Sequence, residues 1–231
     1  LGYPAIGIAD RNSLAGVVRA FTQWEKLKEP RPRLLIGARL VFRDGTPDII
    51  AYPKDRAAYG RLCQLISRGK LRAPKGDCFL ELGDLLELRD GLLLIVCPPL
   101  SPNLTSLLKA LGPDTWLAAS MLYAGEDRRR LKALMRLARD SKVPLLAVND
   151  ALYHHPDQRP LQDIVTCIRE HVMLMAAGKR LEVNAERHLK HPKEMARLFR
   201  SHPGAVEETL RFAARITFTL EDLKYNYPHE P

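Results

Sequence analysis

The sequence predicts an α/β fold: parallel βα units closing into a barrel or a doubly wound sheet, followed by an α-helical segment. Three observations carry this. Short apolar runs, each closed by a polar residue, glycine or proline, recur along the chain. Between them lie segments with apolar residues at helical spacing. From Leu1 to about Arg169 the two kinds alternate, as strands joined by crossover helices do. After Met175 no strand alternates with the helices, so a boundary is expected near Ala176, dividing 1–175 from 176–231.

Taken in order, Pro4-Ala5-Ile6-Gly7-Ile8-Ala9 is a strand ending in Asp10. Ser13 is placed to cap the next helix, whose apolar face is Leu14, Val17, Val18, Phe21 and Trp24. Arg31-Pro32-Arg33 breaks the chain before Leu34-Leu35-Ile36, a second strand ending in Gly37. Leu40 to Phe42, the turn Asp44-Gly45-Thr46-Pro47 and Asp48 to Tyr52 read as a hairpin. A helix runs from Asp55 to about Ser67, and Arg68 to Lys75 is basic, turn-rich and read as a solvated loop. Leu92 to Val96 is a strand closed by Pro98-Pro99. Leu104 to Leu111 is a helix, and Thr115 to Ala119 a strand. Glu126 to Arg139 is an amphipathic helix with Leu131, Leu134, Met135 and Ala138 inward, its Arg128-Arg129-Arg130 run read as a solvated face.

Pro144 to Val148 is the next buried strand, with Asn149 and Asp150 at its C-terminal end. Tyr153-His154-His155-Pro156-Asp157 is a loop, and Pro160 starts a helix at Leu161. After a break at Gly178-Lys179-Arg180-Leu181, two helices follow, Pro192 to Arg200 and Pro203 to Arg215, each opened by a proline.

Composition bounds the function. The 231 residues suit one large domain or one and a half ordinary ones, and a chain that begins at Leu1 is expected to start inside a domain. No run of about 18 apolar residues exists, so no membrane span is expected, and no signal peptide is visible. Cys63, Cys78, Cys97 and Cys167 are scattered with no CxxC, which favours free thiols in the cytoplasm over a disulfide framework or zinc ribbon. The net charge of +9 suits a partner that carries phosphates. There is no GxxxxGK loop and no GxSxG elbow.

The run Ile8-Ala9-Asp10-Arg11-Asn12-Ser13-Leu14-Ala15-Gly16-Val17-Val18-Arg19 resembles the second motif of the polymerase-and-histidinol-phosphatase (PHP) domain of bacterial C-family DNA polymerases. Asn149 to His154 looks like that domain's last motif. The match continues through Arg159 to Glu170, Gly178 to Lys190 and Glu194 to Phe199. These details are most similar to the error-prone, damage-inducible branch of the family. The resemblance implies a distorted (β/α)7 barrel lacking its first strand, at the N-terminus of a much longer polymerase. The helical segment 176–231 would begin the polymerase core. It implies DNA-directed DNA synthesis by the parent chain, in translesion repair, with magnesium held by core carboxylates beyond Pro231. No cofactor is expected in this fragment. DNA, a sliding clamp and mutagenesis accessory proteins are the implied partners, in the cytoplasm.

In α/β barrels the C-terminal strand ends carry the chemistry, because the loops there converge on one mouth. Asp150 with His154 and His155 at that place looks like a metal site, and active members of the family hold two or three metals on His, Asp, Glu and Cys. Such a cluster activates water and clamps a phosphate. Here Asp10 and Asp150 remain, but Arg11 stands where a His is usual, Arg39 where an acid is expected, and Leu152 where the last motif has a His. Gly69 and Lys70 take the place of another His. A guanidinium has donors only and repels a cation, and leucine offers no lone pair. The expectation is therefore a vestigial site without catalytic residues, in which Arg11 and Arg39 pair with Asp10 and Asp150. His154 and His155 are the alternative ligands, read otherwise as loop surface, and His188 and His191 as surface or interdomain contacts. The fragment is expected to serve as scaffold. A metal-dependent phosphoesterase or exonuclease site, and a docking module for accessory proteins, are the alternatives.

Overall fold

The structure is a computed structural model and describes residues 1–98 and 104–223. Its centre is one sheet of six strands: β1 (Ala5–Arg11), β2 (Arg33–Leu40), β3 (Ile49–Pro53), β4 (Leu92–Val96), β5 (Thr115–Ala119) and β6 (Leu145–Ala147), lying side by side in chain order. The pairs β1–β2, β4–β5 and β5–β6 are parallel, whereas β3 runs antiparallel to both neighbours. The uniform parallel alternation is thus broken once. The link from β2 to β3 is the tight turn at Asp44–Pro47, too short for a crossover helix.

That turn fits the expected hairpin, with Gly45 at φ +83. Its first arm is not a separate strand, because β2 passes without interruption through Gly37 to Leu40. Gly37 is a packing residue: a Cβ there would lie 2.7 Å from the Ala51 carbonyl oxygen and 2.7 Å from the Tyr52 ring.

Among the described residues eight α-helices surround the sheet: α1 (Val17–Glu25), α2 (Arg56–Leu71), α3 (Leu82–Leu88), α4 (Leu104–Leu111), α5 (Asp127–Ser141), α6 (Arg159–Arg169), α7 (Pro192–Leu198) and α8 (Gly204–Ala214). Side chains alternate between the two faces of a strand. Leu40, Ala51, Leu94, Val96, Leu117 and Leu145 form the outer face and pack under α2, α3, α4 and α5. Leu35, Tyr52, Leu93, Ile95, Trp116 and Leu146 form the inner face, where Phe212 and Ile216 fill the hollow. The Phe212 ring meets Trp116 edge-on at 4.9 Å and Tyr52 at 5.6 Å. Residues beyond Ala176 therefore share the sheet's core: Met195 and Phe199 join the outer cluster, Phe212 the inner one.

The sheet is strongly curled. Arg39 on β2 touches Asp150, just after β6, at 2.7 Å. Those strands are four steps apart in the sheet order, roughly 19 Å if the sheet were flat at about 4.8 Å per step. Arginine and aspartate side chains do not span that gap, so curvature closes it. The result is an open half-barrel, since β1 and β6 are not paired to each other.

Other local expectations shift. Helix α2 extends to Leu71, so Arg68 and Lys70 are helical rather than in a loop. Arg68 grips Glu87 at 2.6 and 2.8 Å, and Arg72 grips Asp84 at 2.8 and 2.9 Å, both acids belonging to the unforeseen helix α3. Ser13 does not cap α1. Gly16 holds that position, and its N–H donates to the Asp10 carboxylate at 2.9 Å. Pro99 lies outside the described residues. No helix among the described residues is long and apolar enough to cross a membrane.

Candidate functional site

The C-terminal rim of the half-barrel gathers charged side chains from elements far apart in sequence. Arg39 shares the inner face with Leu35 and Gly37 by strand alternation, one residue before the end of β2. Asp48 precedes β3, and because β3 is antiparallel its beginning lies at this same rim. Cys97 follows β4, and Asp150 follows β6.

Asp150 is the hub. Its backbone is left-handed, φ +45, a conformation that costs a non-glycine residue about 1–2 kcal/mol. Its contacts hold it there. Oδ1 accepts from Arg39 Nη1 at 2.7 Å and Oδ2 from Arg187 Nη2 at 2.6 Å, while its backbone oxygen accepts from Arg187 Nε at 2.9 Å. The network extends both ways. Arg39 Nε donates to Asp48 at 2.7 Å, and Arg187 Nη1 donates to Glu182 at 2.6 Å. Five charges thus alternate in a row, Asp48, Arg39, Asp150, Arg187, Glu182, with one net negative charge among them.

Burial by itself would lower the pKa of Arg39, but Asp150 and Asp48 more than reverse that and hold it above its ordinary value. The adjacent Cys97 thiol is pushed up to about 12, first by burial, with Asp150 and Asp48 adding to the effect and Arg39 opposing it. A shift in that direction favours the thiol over the thiolate at neutral pH.

The segment 182–190 is laid across the rim like a strap. Leu152 N–H donates to the Arg187 carbonyl at 2.7 Å, and Leu189 N–H to the Tyr153 carbonyl at 3.2 Å. Asn184 Nδ2 donates to the Leu122 carbonyl at 2.8 Å, reaching the loop after β5. Asn149 Nδ2 bonds the His188 carbonyl, and the Tyr3 hydroxyl bonds that of Lys190.

The residues singled out in the sequence part company here. The pairing expected between Arg39 and Asp150 is present; the one between Arg11 and Asp10 is not. Asp10 turns to the outer side and serves the start of α1. Arg11 stands in register with Arg39, is exposed, and makes no ion pair among the described residues. Leu152 is 38% exposed. His154 and His155 are exposed in the loop, and His155 Nδ1 accepts from the Asp157 N–H at 3.4 Å, capping the short turn Pro156–Gln158. His188 Nδ1 lies 2.9 Å from the Ala185 carbonyl, and His191 caps α7 through the Lys193 N–H at 3.1 Å. Arg187, Asp48, Glu182 and Cys97 were not foreseen. Arg187 lies inside a matched motif, but nothing in its neighbours reveals a partner 37 residues away.

A metal cluster does not fit this donor set. Both oxygens of Asp150 are taken by guanidiniums, which have no lone pair to offer a cation. Among the described residues, no group of three or more His, Cys, Asp or Glu is placed to hold a metal ion.

No family model matches the chain. Along its whole length it is 55% identical to a protein named error-prone DNA polymerase from Rhodopseudomonas palustris (strain BisB5). It is also 55% identical to one of that name from Bradyrhizobium sp. (strain ORS 278), and 52% to one from Brucella abortus biovar 1 (strain 9-941). Each alignment takes in 100% of this chain and 21–22% of the relative. One solved structure, a protein provisionally described as a metal-dependent phosphoesterase from Bifidobacterium adolescentis, covers 64% of this chain and 77% of its own, at 13% identity and a TM-score of 0.46. The chain is a homologue, from one end to the other, of a segment making up about a fifth of the length of error-prone DNA polymerases.

Proposed function

We propose that this chain is the half-barrel part of an error-prone DNA polymerase and acts there as scaffold, not as a catalytic site. The parent protein carries out DNA-directed DNA synthesis in translesion repair, in the cytoplasm. Magnesium for that reaction belongs to carboxylates outside this segment. Residues 176–231 are the start of the polymerase core, so the boundary near Ala176 is one of chain organisation, since α7 and α8 pack on the same sheet. The observation that carries the scaffold reading is the double claim on Asp150 by Arg39 and Arg187. Two fixed guanidiniums supply the positive charge that metal ions supply in active barrels of this type, and they tie the strap 182–190 to the rim without chemistry.

The test is bound metal per chain after dialysis against manganese and zinc. Less than about a tenth of an equivalent is expected, as a site without free ligands has nothing to offset metal dehydration. One or more tightly held equivalents would overturn the reading and call for a phosphoesterase assay.

A docking role for polymerase accessory proteins, a sliding clamp among them, has one observation in its favour. Helix α6 exposes Leu161 (59%), Ile164 (50%) and Ile168 (69%) along one side, continued by Met173 and Met175. An apolar stripe of that kind on a soluble surface marks an interaction site. Ile164→Asp with Ile168→Asp is expected to weaken clamp or accessory-protein binding by the whole polymerase while leaving the fold intact.

A further inference from the structure

We propose that the outward face of α5 is a contact surface for the phosphate backbone of DNA, a role that rests on the polymerase reading above and adds a place to it. Between Glu126 and Lys142 stand seven basic residues, Arg128, Arg129, Arg130, Lys132, Arg136, Arg139 and Lys142, against three acids, Glu126, Asp127 and Asp140. This stretch therefore supplies a net +4 of the chain's +9.

The structure sorts these charges. Leu131, Leu134 and Ala138 bury the inner side of the helix, and Arg130 turns to the Pro98 carbonyl at 3.0 Å. Arg129 pairs with Glu126, and Arg139 with Asp140. Arg128, Lys132 and Arg136 are exposed and make no ion pair among the described residues. Spaced four apart, they form one row, and with Arg129 and Ala133 they line a shallow groove of about 410 Å³.

Exposed cations without an ion pair among the described residues also stand elsewhere, Arg11 and Arg19 among them; on α5 three of them fall in one row on one helix face. Arg39, Arg68, Arg72, Arg187 and Arg197 are each matched to a carboxylate. On α5 like charges sit at four-residue spacing and repel; the acid at the next position of the row, Asp140, pairs with Arg139 instead. An external polyanion would relieve the repulsion. The row spans about 12 Å, roughly the axial length of three to four nucleotides of duplex. Contacts of this kind position the backbone and carry no sequence preference.

The experiment measures binding of this chain to a fluorescent oligonucleotide of about 20 nucleotides, single-stranded and duplex, across a salt series. The variant is the triple Arg128→Gln, Lys132→Gln, Arg136→Gln. The control is Arg19→Gln, Lys26→Gln, Lys28→Gln, which removes equal charge from exposed positions elsewhere. The α5 triple is expected to weaken binding at least tenfold at low salt. It should flatten the log–log salt slope by about 2 on single strands and up to about 3 on duplex, the yield of three lost phosphate contacts. The control is expected to change binding less than twofold. Equal loss in both triples, no loss in the α5 triple, or no binding by the parent chain overturns the proposal. Competition by polyglutamate as strong as by the oligonucleotide also overturns it, and reassigns the face to an acidic protein. The two readings fail separately: the polymerase reading falls if the whole protein does not extend a primer. The α5 proposal falls if it does extend one and the triple leaves DNA binding unchanged.

Discussion

Arg39 and Asp150 stand 111 residues apart in the chain and 2.7 Å apart in space. One ends β2 and the other follows β6, so their contact reports the curl of the sheet directly. Arg187 takes the other carboxylate oxygen and brings the strap with it. The side chains of Arg39, Asp150 and Arg187 are 15–24% exposed, which puts the network between a surface pair and a buried one.

Removing one member of this row leaves its partners facing like charges. Asp150→Ala is expected to cost about 2–4 kcal/mol in urea unfolding, because two guanidiniums lose their shared anion in a poorly hydrated place. A double-mutant cycle with Arg39→Ala should return a coupling of about 1–3 kcal/mol. A coupling near zero would mean that the contact adds nothing to the closed rim.

Asp114 ties three elements together at the opposite end of the sheet, accepting from Lys54 at 2.9 Å and from Arg215 after α8. Burial by itself raises its pKa, but the bonds from Lys54 and Arg215 outweigh that and hold it below the ordinary 3.8. A group depressed in the folded state stabilises it fully above the unfolded value and stops doing so as pH falls through the folded one. Asp114→Asn is therefore expected to cost about 1–2 kcal/mol at neutral pH. The difference from the parent should vanish well below pH 3.8. Urea unfolding at the two pH extremes checks it.

Glycines 37 and 60 should respond oppositely to alanine. At Gly37 the new methyl meets backbone at 2.7 Å, which cannot swing aside, and a loss of about 1–3 kcal/mol is expected. Gly60 lies within α2 with nothing within 4 Å, so Gly60→Ala should gain about 0.5–1 kcal/mol from helix propensity. Thermal melts of the two variants decide the matter.

Phe212 joins α8 to the inner face, where it is 5% exposed against Trp116 and Tyr52. Phe212→Ala is expected to cost about 3–4 kcal/mol and to shift the Trp116 emission to the red as water reaches the hollow.

Cys97 should resist alkylation at pH 8, when an ordinary exposed thiol reacts readily, because its pKa is pushed up to about 12. Mass spectrometry after brief iodoacetamide treatment, with and without urea, distinguishes a protected thiol from a reactive one.

The amino-acid sequence determined most of the elements by itself, α3 being an exception. Apolar runs such as Leu92–Val96 and Thr115–Ala119 form fully buried strands, and the periodic faces of 104–111 and 127–141 form helices, because burying such patterns is favourable whatever the neighbours. It also marked Arg39 and Asp150 as charges at one rim. What the tertiary structure decided lay between elements. Whether Gly37 ends a strand or clears room for Tyr52 depends on β3. Whether Arg68 and Arg72 are free or held depends on α3. Asp10 turned to the start of α1, leaving Arg11 without it, and Arg187 came from 37 residues away to share Asp150 with Arg39. Propensity and periodicity act over a few residues, whereas a carboxylate's partner is set by which side chains the curled sheet brings within 3 Å.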